Sequence, residues 1–279
     1  MKKTILSIAA CIMTMAASAQ IFQITSTQKL PTPQGTEWKV AGFSPVGDYL
    51  LLTDDANGGL TRLDLATNAT KVISNAPGAG WAVKISKDGQ NIVYREVTIG
   101  EDKLTRQNII KHNFTAQKGT VQATAQRDMT NLVDKAANLS VTINEDLHMV
   151  IYRNGKAIVI TPNGNEEAYN WASISPDGKN LLYYVSGIGC YVCDIYGNNV
   201  RFVAQHCRAP QWYDNNTIIG MADEDDGTFL TASAIVAYTL DGKSQILVNK
   251  EQMAIYPYAA KGKIAFSNAA GEVFMMNVK

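Results

Sequence analysis

The chain has 279 residues, 25 basic and 25 acidic side chains, and a formal net charge of zero, with 18% of residues charged. That balance excludes the basic footprint of a nucleic-acid or membrane-surface binder. An apolar share of 46%, with Val, Ile, Tyr and Thr abundant, suits a sheet-rich globular domain.

Residues 1–19 read as a secretory signal peptide. Lys2 and Lys3 form a basic start, residues 5–15 an apolar run broken by Ser7 and Thr14, and Ala17-Ser18-Ala19 a small-residue cleavage site that leaves Gln20 at the new N-terminus. The run is too short to span a bilayer. Ile8-Ala9-Ala10-Cys11 also fits a lipobox, the alternative in which Cys11 is lipidated, although this leaves a short apolar stretch. With no later apolar span, the mature chain is expected to be soluble and periplasmic or secreted. Loss of Lys2 and Lys3 gives it a formal net charge of −2.

The mature chain then repeats one pattern, a turn rich in Asp, Asn and Gly followed by an apolar strand. In chain order the turns lie at 44–48, 86–90, 144–148 and 175–179, with degenerate copies at 213–216 and 260–263. The intervals are 42, 58, 31, 38 and about 47 residues. A spacing near 40 marks one supersecondary unit stacked many times.

Each unit parses into four strands. In the fourth, strands at 171–175, 180–185, 189–195 and 200–204 are divided by Pro176-Asp177-Gly178-Lys179, Ser186-Gly187 and Tyr196-Gly197-Asn198-Asn199. The first unit repeats the scheme at 40–44, 49–53, 60–65 and 71–74. Pro162-Asn163-Gly164 marks the last turn of the third unit, and Asp241-Gly242-Lys243 that of the fifth. Residues 119–138 are polar and Ala-rich with a poor strand signal, and read as an elongated hairpin or insertion with room for one helical turn.

Four-stranded antiparallel units arranged radially form an all-β propeller. The expectation is six blades in one domain, residues 20–279, with five or seven left open by the irregular second and sixth units. Residues 256–279 supply three strands, and residues 21–26 are expected to pair with them as the fourth, closing the ring and covering a sheet edge.

The turn Ser175-Pro176-Asp177-Gly178-Lys179 before an apolar strand, partly kept at 44–48 and 86–90, resembles the WD-like propeller repeats of the TolB type. Such repeats also occur in the propellers of the prolyl oligopeptidase family. The resemblance covers most of residues 37–279 and implies a blade structure. In TolB-type proteins the propeller binds other envelope proteins, which implies an envelope protein or peptide as partner. The pattern includes neither the α/β domain of TolB nor the peptidase hydrolase domain, and no Gly-x-Ser-x-Gly elbow occurs.

The chemistry-bearing candidates follow from this parsing. Asp223-Glu224-Asp225-Asp226 lies between the second and third strands of the fifth unit, and Asp54-Asp55 and Glu101-Asp102 occupy the matching loops of the first two. Three acidic loops are thereby placed around one channel mouth, as a dock for a basic segment or a cation such as Ca²⁺. The competing reading is a solvated acidic surface. No cofactor is otherwise implied, because the Asp-Gly turns lack the further acids of a calcium cage.

Aromatic residues recur at unit starts, Trp38, Trp81, Trp171, Trp212 and Tyr256. They are expected to wedge between blades as core, with a binding face as the alternative. His206 and Arg208 sit in a connection between blades, where a rigid scaffold displays loops. His112 and His148 are assigned structural places, in a strand and a turn. A hairpin turning at Gly197-Asn198 favours a Cys190–Cys207 disulfide with Cys193 buried; three buried thiols are the alternative. The functional expectation is a monomeric, non-catalytic protein- or peptide-binding module. The alternative is a carbohydrate-active or other small-ligand enzyme with its site at the channel mouth.

Overall fold

The computed structural model describes residues 20–124 and 139–279. After β1 (Ile24–Lys29), blade 1 contains β2 (Trp38–Phe43), β3 (Tyr49–Asp54), β4 (Leu60–Asp64) and β5 (Thr70–Ser74). Blade 2 contains β6 (Lys84–Ile85), β7 (Asn91–Ile99), β8 (Thr105–Asn113) and β9 (Lys118–Thr124). Blade 3 has β10 (Leu139–Ile143), β11 (Met149–Arg153) and β12 (Lys156–Ile160). Blade 4 has β13 (Tyr169–Ile174), β14 (Asn180–Val185), β15 (Gly189–Asp194) and β16 (Arg201–Ala204). Blade 5 has β17 (Arg208–Trp212), β18 (Thr217–Asp225), β19 (Leu230–Thr239) and β20 (Ser244–Val248), and blade 6 has β21 (Ala254–Ala260), β22 (Lys263–Asn268) and β23 (Val273–Val278). Every blade is an antiparallel meander, and together they form a six-bladed propeller. Among the described residues no helix is long and apolar enough to cross a membrane.

The core lies between blades rather than inside one sheet. Successive side chains of a strand leave opposite faces, so β3 sends Leu50 and Leu52 into the seam with blade 6 and Tyr49 and Leu51 into the seam with blade 2. In β14, Leu181 and Tyr183 face blade 3, whereas Leu182 faces blade 5. The Tyr49 hydroxyl also donates to Gly89 O across a seam at 2.8 Å.

The ring closes through the N-terminus. β1 pairs antiparallel with β23, Thr27 opposite Met276, as the fourth strand of blade 6. The strand starts a few residues later than the sequence places it, because residues 21–22 are held by blade 5, whose Gln245 Oε1 accepts from Ile21 N and Phe22 N at 2.7 Å.

One sequence expectation is corrected. Among the described residues blade 3 has three strands, since only residues 161–168 separate β12 from β13 and cannot turn, run outward and return. Residues 118–124 form a strand paired with β8, with a register shift at Ile109/Ile110, in keeping with the elongated-hairpin reading. The helical turn considered for residues 119–138 otherwise falls on 125–138, outside the described residues.

The recurring turns are self-contained hydrogen-bond units. Ser175 Oγ donates to Asp177 Oδ1 at 2.6 Å and accepts from Asn180 N at 3.0 Å. Gly178 N donates to Ser175 O at 2.9 Å with φ +75°, a left-handed conformation that favours glycine. Ser86, Asp88 and Gly89 repeat the arrangement in blade 2. The Ser175 hydroxyl and then the Lys179 amide hold the Asp177 carboxyl below the usual carboxylate range, and Ser86 does the same for Asp88. These carboxyls titrate lower folded than unfolded. Their stabilisation is therefore present above about pH 4 and is lost as pH falls through the depressed folded values. Thermal melts of the mature chain are expected to lose Tm steeply below about pH 4, with a shallower loss in Asp177→Asn. Parallel curves for the two proteins would contradict that role.

Candidate functional site at the channel mouth

The first strand of each blade is innermost, and these strands leave a central cavity of about 630 Å³ lined from all six blades. Its lining is shaped by breaks in strand register. Pairing with the second strand shifts at Val40/Gly42, Asn170/Ser173, Arg208/Gln211 and Ile255/Tyr258. Near these breaks, or just before the short β6, the backbone turns left-handed at Ala82, Trp171, Ala209 and Tyr256, with φ between 45° and 52°. Such a conformation costs a non-glycine residue about 1–2 kcal/mol, and a bulge re-aims the side chain it carries.

The result reverses part of the sequence reading. Trp81, Trp171 and Tyr256 line the cavity with exposures of 60%, 41% and 38%, instead of wedging into the core. Trp38 and Trp212 are half-buried and pack against seams. Trp171 meets the Tyr184 ring edge-on at 5.6 Å, and the Arg208 guanidinium lies 5.8 Å from its centre. Lys39 Nζ stands 5.5 Å from the Tyr256 ring centre. Gly80 is required beside Trp81, because a Cβ there would lie 2.0 Å from Thr53 Oγ1.

The acidic residues are engaged locally. Asp55 binds Lys39 at 2.6 Å, Asp102 pairs with Arg106, and Glu224 binds Lys250 at 3.0 Å. Asp223, whose side chain is 4% exposed, binds Arg208 at 2.6 Å. Asp54 Oδ1 accepts from Gly58 N, Asp225 Oδ1 from Gly227 N, and Asp226 Oδ1 from Thr228 N and Phe229 N. Arg106 holds the Asp102 carboxyl below its ordinary range, and the Phe229 and Thr228 amides do so for Asp226. Glu101 is exposed on the blade 2 loop.

Sequence reasoning treated His206, Arg208 and the blade 5 acids as separate groups. The structure joins them in a smaller cavity of about 380 Å³ lined by Tyr184, His206, Arg208, Asp223, Glu224 and Asp225. It does not bring Asp54, Asp55, Glu101 or Asp102 into that cluster. The main cavity instead takes Lys39, Lys84 and Arg95 from blades 1 and 2, which the sequence reading did not single out, and no carboxylate among the described lining residues.

The favoured disulfide is also corrected. Cys190, Cys193 and Cys207 are free, buried thiols, and Cys190 and Cys207 contact one another in the blade 4–5 seam. Burial, then its neighbour Cys207, pushes the Cys190 thiol well above its usual value. His112 is buried against Phe114, and the His148 ring meets Asn165 O at 2.8 Å. Among the described residues there is no group of three or more His, Cys, Asp or Glu placed to hold a metal ion.

No protein-family model matches the chain, and no curated protein matches it. Solved structures show the fold. The "putative TolB" of Agrobacterium tumefaciens aligns with TM-score 0.55 at 16% identity, covering 89% of this chain and 91% of that one. The Cps50 (Swd1) β-propeller domain of Myceliophteria thermophila aligns with TM-score 0.52 at 9% identity, covering 92% and 100%. An oligogalacturonate lyase in complex with manganese aligns at 0.48 and 16% identity, covering 85% and 76%.

The burial of Asp223 yields a direct contrast. Asp223→Ala strands the Arg208 guanidinium and is expected to cost about 1–2 kcal/mol in denaturant unfolding, while the exposed Asp225→Ala stays within about 0.5 kcal/mol of the parent. Equal costs for both would contradict the pairing.

Proposed function

We propose that the chain is an exported, periplasmic or secreted binding module that acts as a monomer without catalysis and takes an envelope protein or peptide at the channel mouth. The observation that carries this reading is the set of exposed aromatic side chains, Trp81, Trp171 and Tyr256, gathered at one concave place on a rigid ring. Aromatic surface left in water around a cavity is the usual anchor of a protein contact.

The rim supports the same reading. β7, β8, β18 and β19 have nine or ten residues, where the other strands have at most seven. Their hairpins belong to blades 2 and 5, which face each other across a ring of six. Both carry exposed apolar tips, Ile99 and Leu104 on one and Phe229 on the other. Glu101, Asp102, Asp225 and Asp226 flank those tips. A partner seated on the aromatic mouth would touch both prongs, and the rim acids would contact its basic or polar flanks.

The test is crosslinking in intact envelopes. Photoreactive residues placed at Leu104 and Phe229 are expected to capture one and the same protein, and Trp81→Ala with Trp171→Ala is expected to reduce that capture about tenfold or more. Capture undiminished by loss of both tryptophans would overturn the reading.

A further inference from the structure

We infer that the channel takes a proline-rich segment end-on, wound as a polyproline II helix along the axis of the ring. This rests on the binding-module reading above and names the chemistry of its peptide. The exposed aromatic residues of the cavity come from alternate blades: Trp81 just ahead of β6 in blade 2, Trp171 in blade 4 and Tyr256 in blade 6. They also stand at one level. Trp171 and Tyr256 lie four residues ahead of the turns that begin at Ser175 and Ala260, both with left-handed backbone. Trp81 directly precedes Ala82, the left-handed residue four ahead of the turn at Ser86. The same positions of blades 1, 3 and 5 carry the smaller Val40, Ser140 and Ala209. Large and small residues therefore alternate around the ring, and three aromatic faces stand roughly 120° apart about its axis.

A polyproline II helix has that symmetry, with three residues per turn and a rise of about 3.1 Å per residue. One turn gives each aromatic face one pyrrolidine ring to pack against. The carbonyls of such a helix have no internal partner, and the amide groups of Asn57, Gln107 and Gln211 bring donors to the same cavity. Charge favours a neutral occupant. Lys39 is bound to Asp55 at 2.6 Å, and Lys84 and Arg95 are engaged in interactions of their own within the protein. An uncharged segment leaves those contacts intact, whereas a charged one competes with them. The helix is extended before it binds, so little chain entropy is lost on entry, and a cavity of about 630 Å³ encloses a short stretch of it.

The experiment measures binding of a dye-labelled octaproline to the mature chain, with an octamer of alternating Gly and Ser, octaglutamine and cellohexaose as competitors. Octaproline is expected to bind at least about tenfold more tightly than either peptide control, and to change less than about twofold between low and high salt. Trp81→Ala, Trp171→Ala and Tyr256→Ala are each expected to weaken it about fivefold or more. Trp81→Phe, which keeps an aromatic face, is expected to weaken it less than Trp81→Ala. Thermal melts check that each variant is folded. No binding of octaproline, binding equal to that of the Gly-Ser octamer, or weakening confined to one of the three aromatic positions in folded variants overturns the inference. Cellohexaose binding that is tighter than octaproline's and lost in Trp171→Ala overturns its peptide chemistry. The crosslinking outcome is independent of these: capture that needs Trp81 and Trp171 keeps the module even if octaproline fails to bind.

Discussion

Blades of this protein such as the first and fourth are apolar on both faces, and that constraint governs the rest. Alternate residues of β3 and β14 enter opposite seams, so no blade can bury its side chains without a neighbour on each side. A row of such sheets is stable only when it closes on itself, which is why β1 leaves the start of the described chain to complete blade 6. Closure also defines the centre. Six innermost strands meeting radially cannot all touch, and the space they leave is the channel.

The channel acquires chemistry because its walls are irregular. A regular first strand would alternate its side chains into the two seams. The bulges and left-handed residues at Trp171, Ala209 and Tyr256 break that alternation and turn aromatic surface inward. Charge is sorted in the same region. Carboxylates of the second-to-third-strand loops bind cations of the inner strands or accept from their own loop amides, and Lys84 and Arg95 line the cavity. Beneath a rim whose acids pair locally, the described lining of the cavity is aromatic and carries Lys39, Lys84 and Arg95.

The blades were legible in the sequence because their signals are local. A Ser-x-Asp-Gly turn closes its hydrogen bonds within five residues, and alternation in β3 or β14 needs no knowledge of the partner sheet. The site was not legible, for the same physical reason inverted. The exposure of Trp171 depends on a backbone angle set by its pairing with β14, and the neutralisation of Asp223 depends on Arg208, a neighbour only after β17 and β18 pair. Among the described residues blade 3 has no fourth strand after β12, owing to the shortness of residues 161–168, a spacing that its Pro-Asn-Gly turn signal concealed. The spacing of Cys190 and Cys207 placed them together, and they are together, as thiols rather than a bridge.

The most direct measurement is quenching of the intrinsic fluorescence of the four tryptophans by iodide and by caesium at matched ionic strength. An open aromatic mouth over a cationic floor predicts efficient quenching by iodide, weak quenching by caesium, and loss of most of the iodide-sensitive emission in Trp81→Phe with Trp171→Phe. Caesium quenching as strong as iodide's would mean an acidic mouth, and emission resistant to both would mean tryptophans buried between blades; either result would contradict the site described.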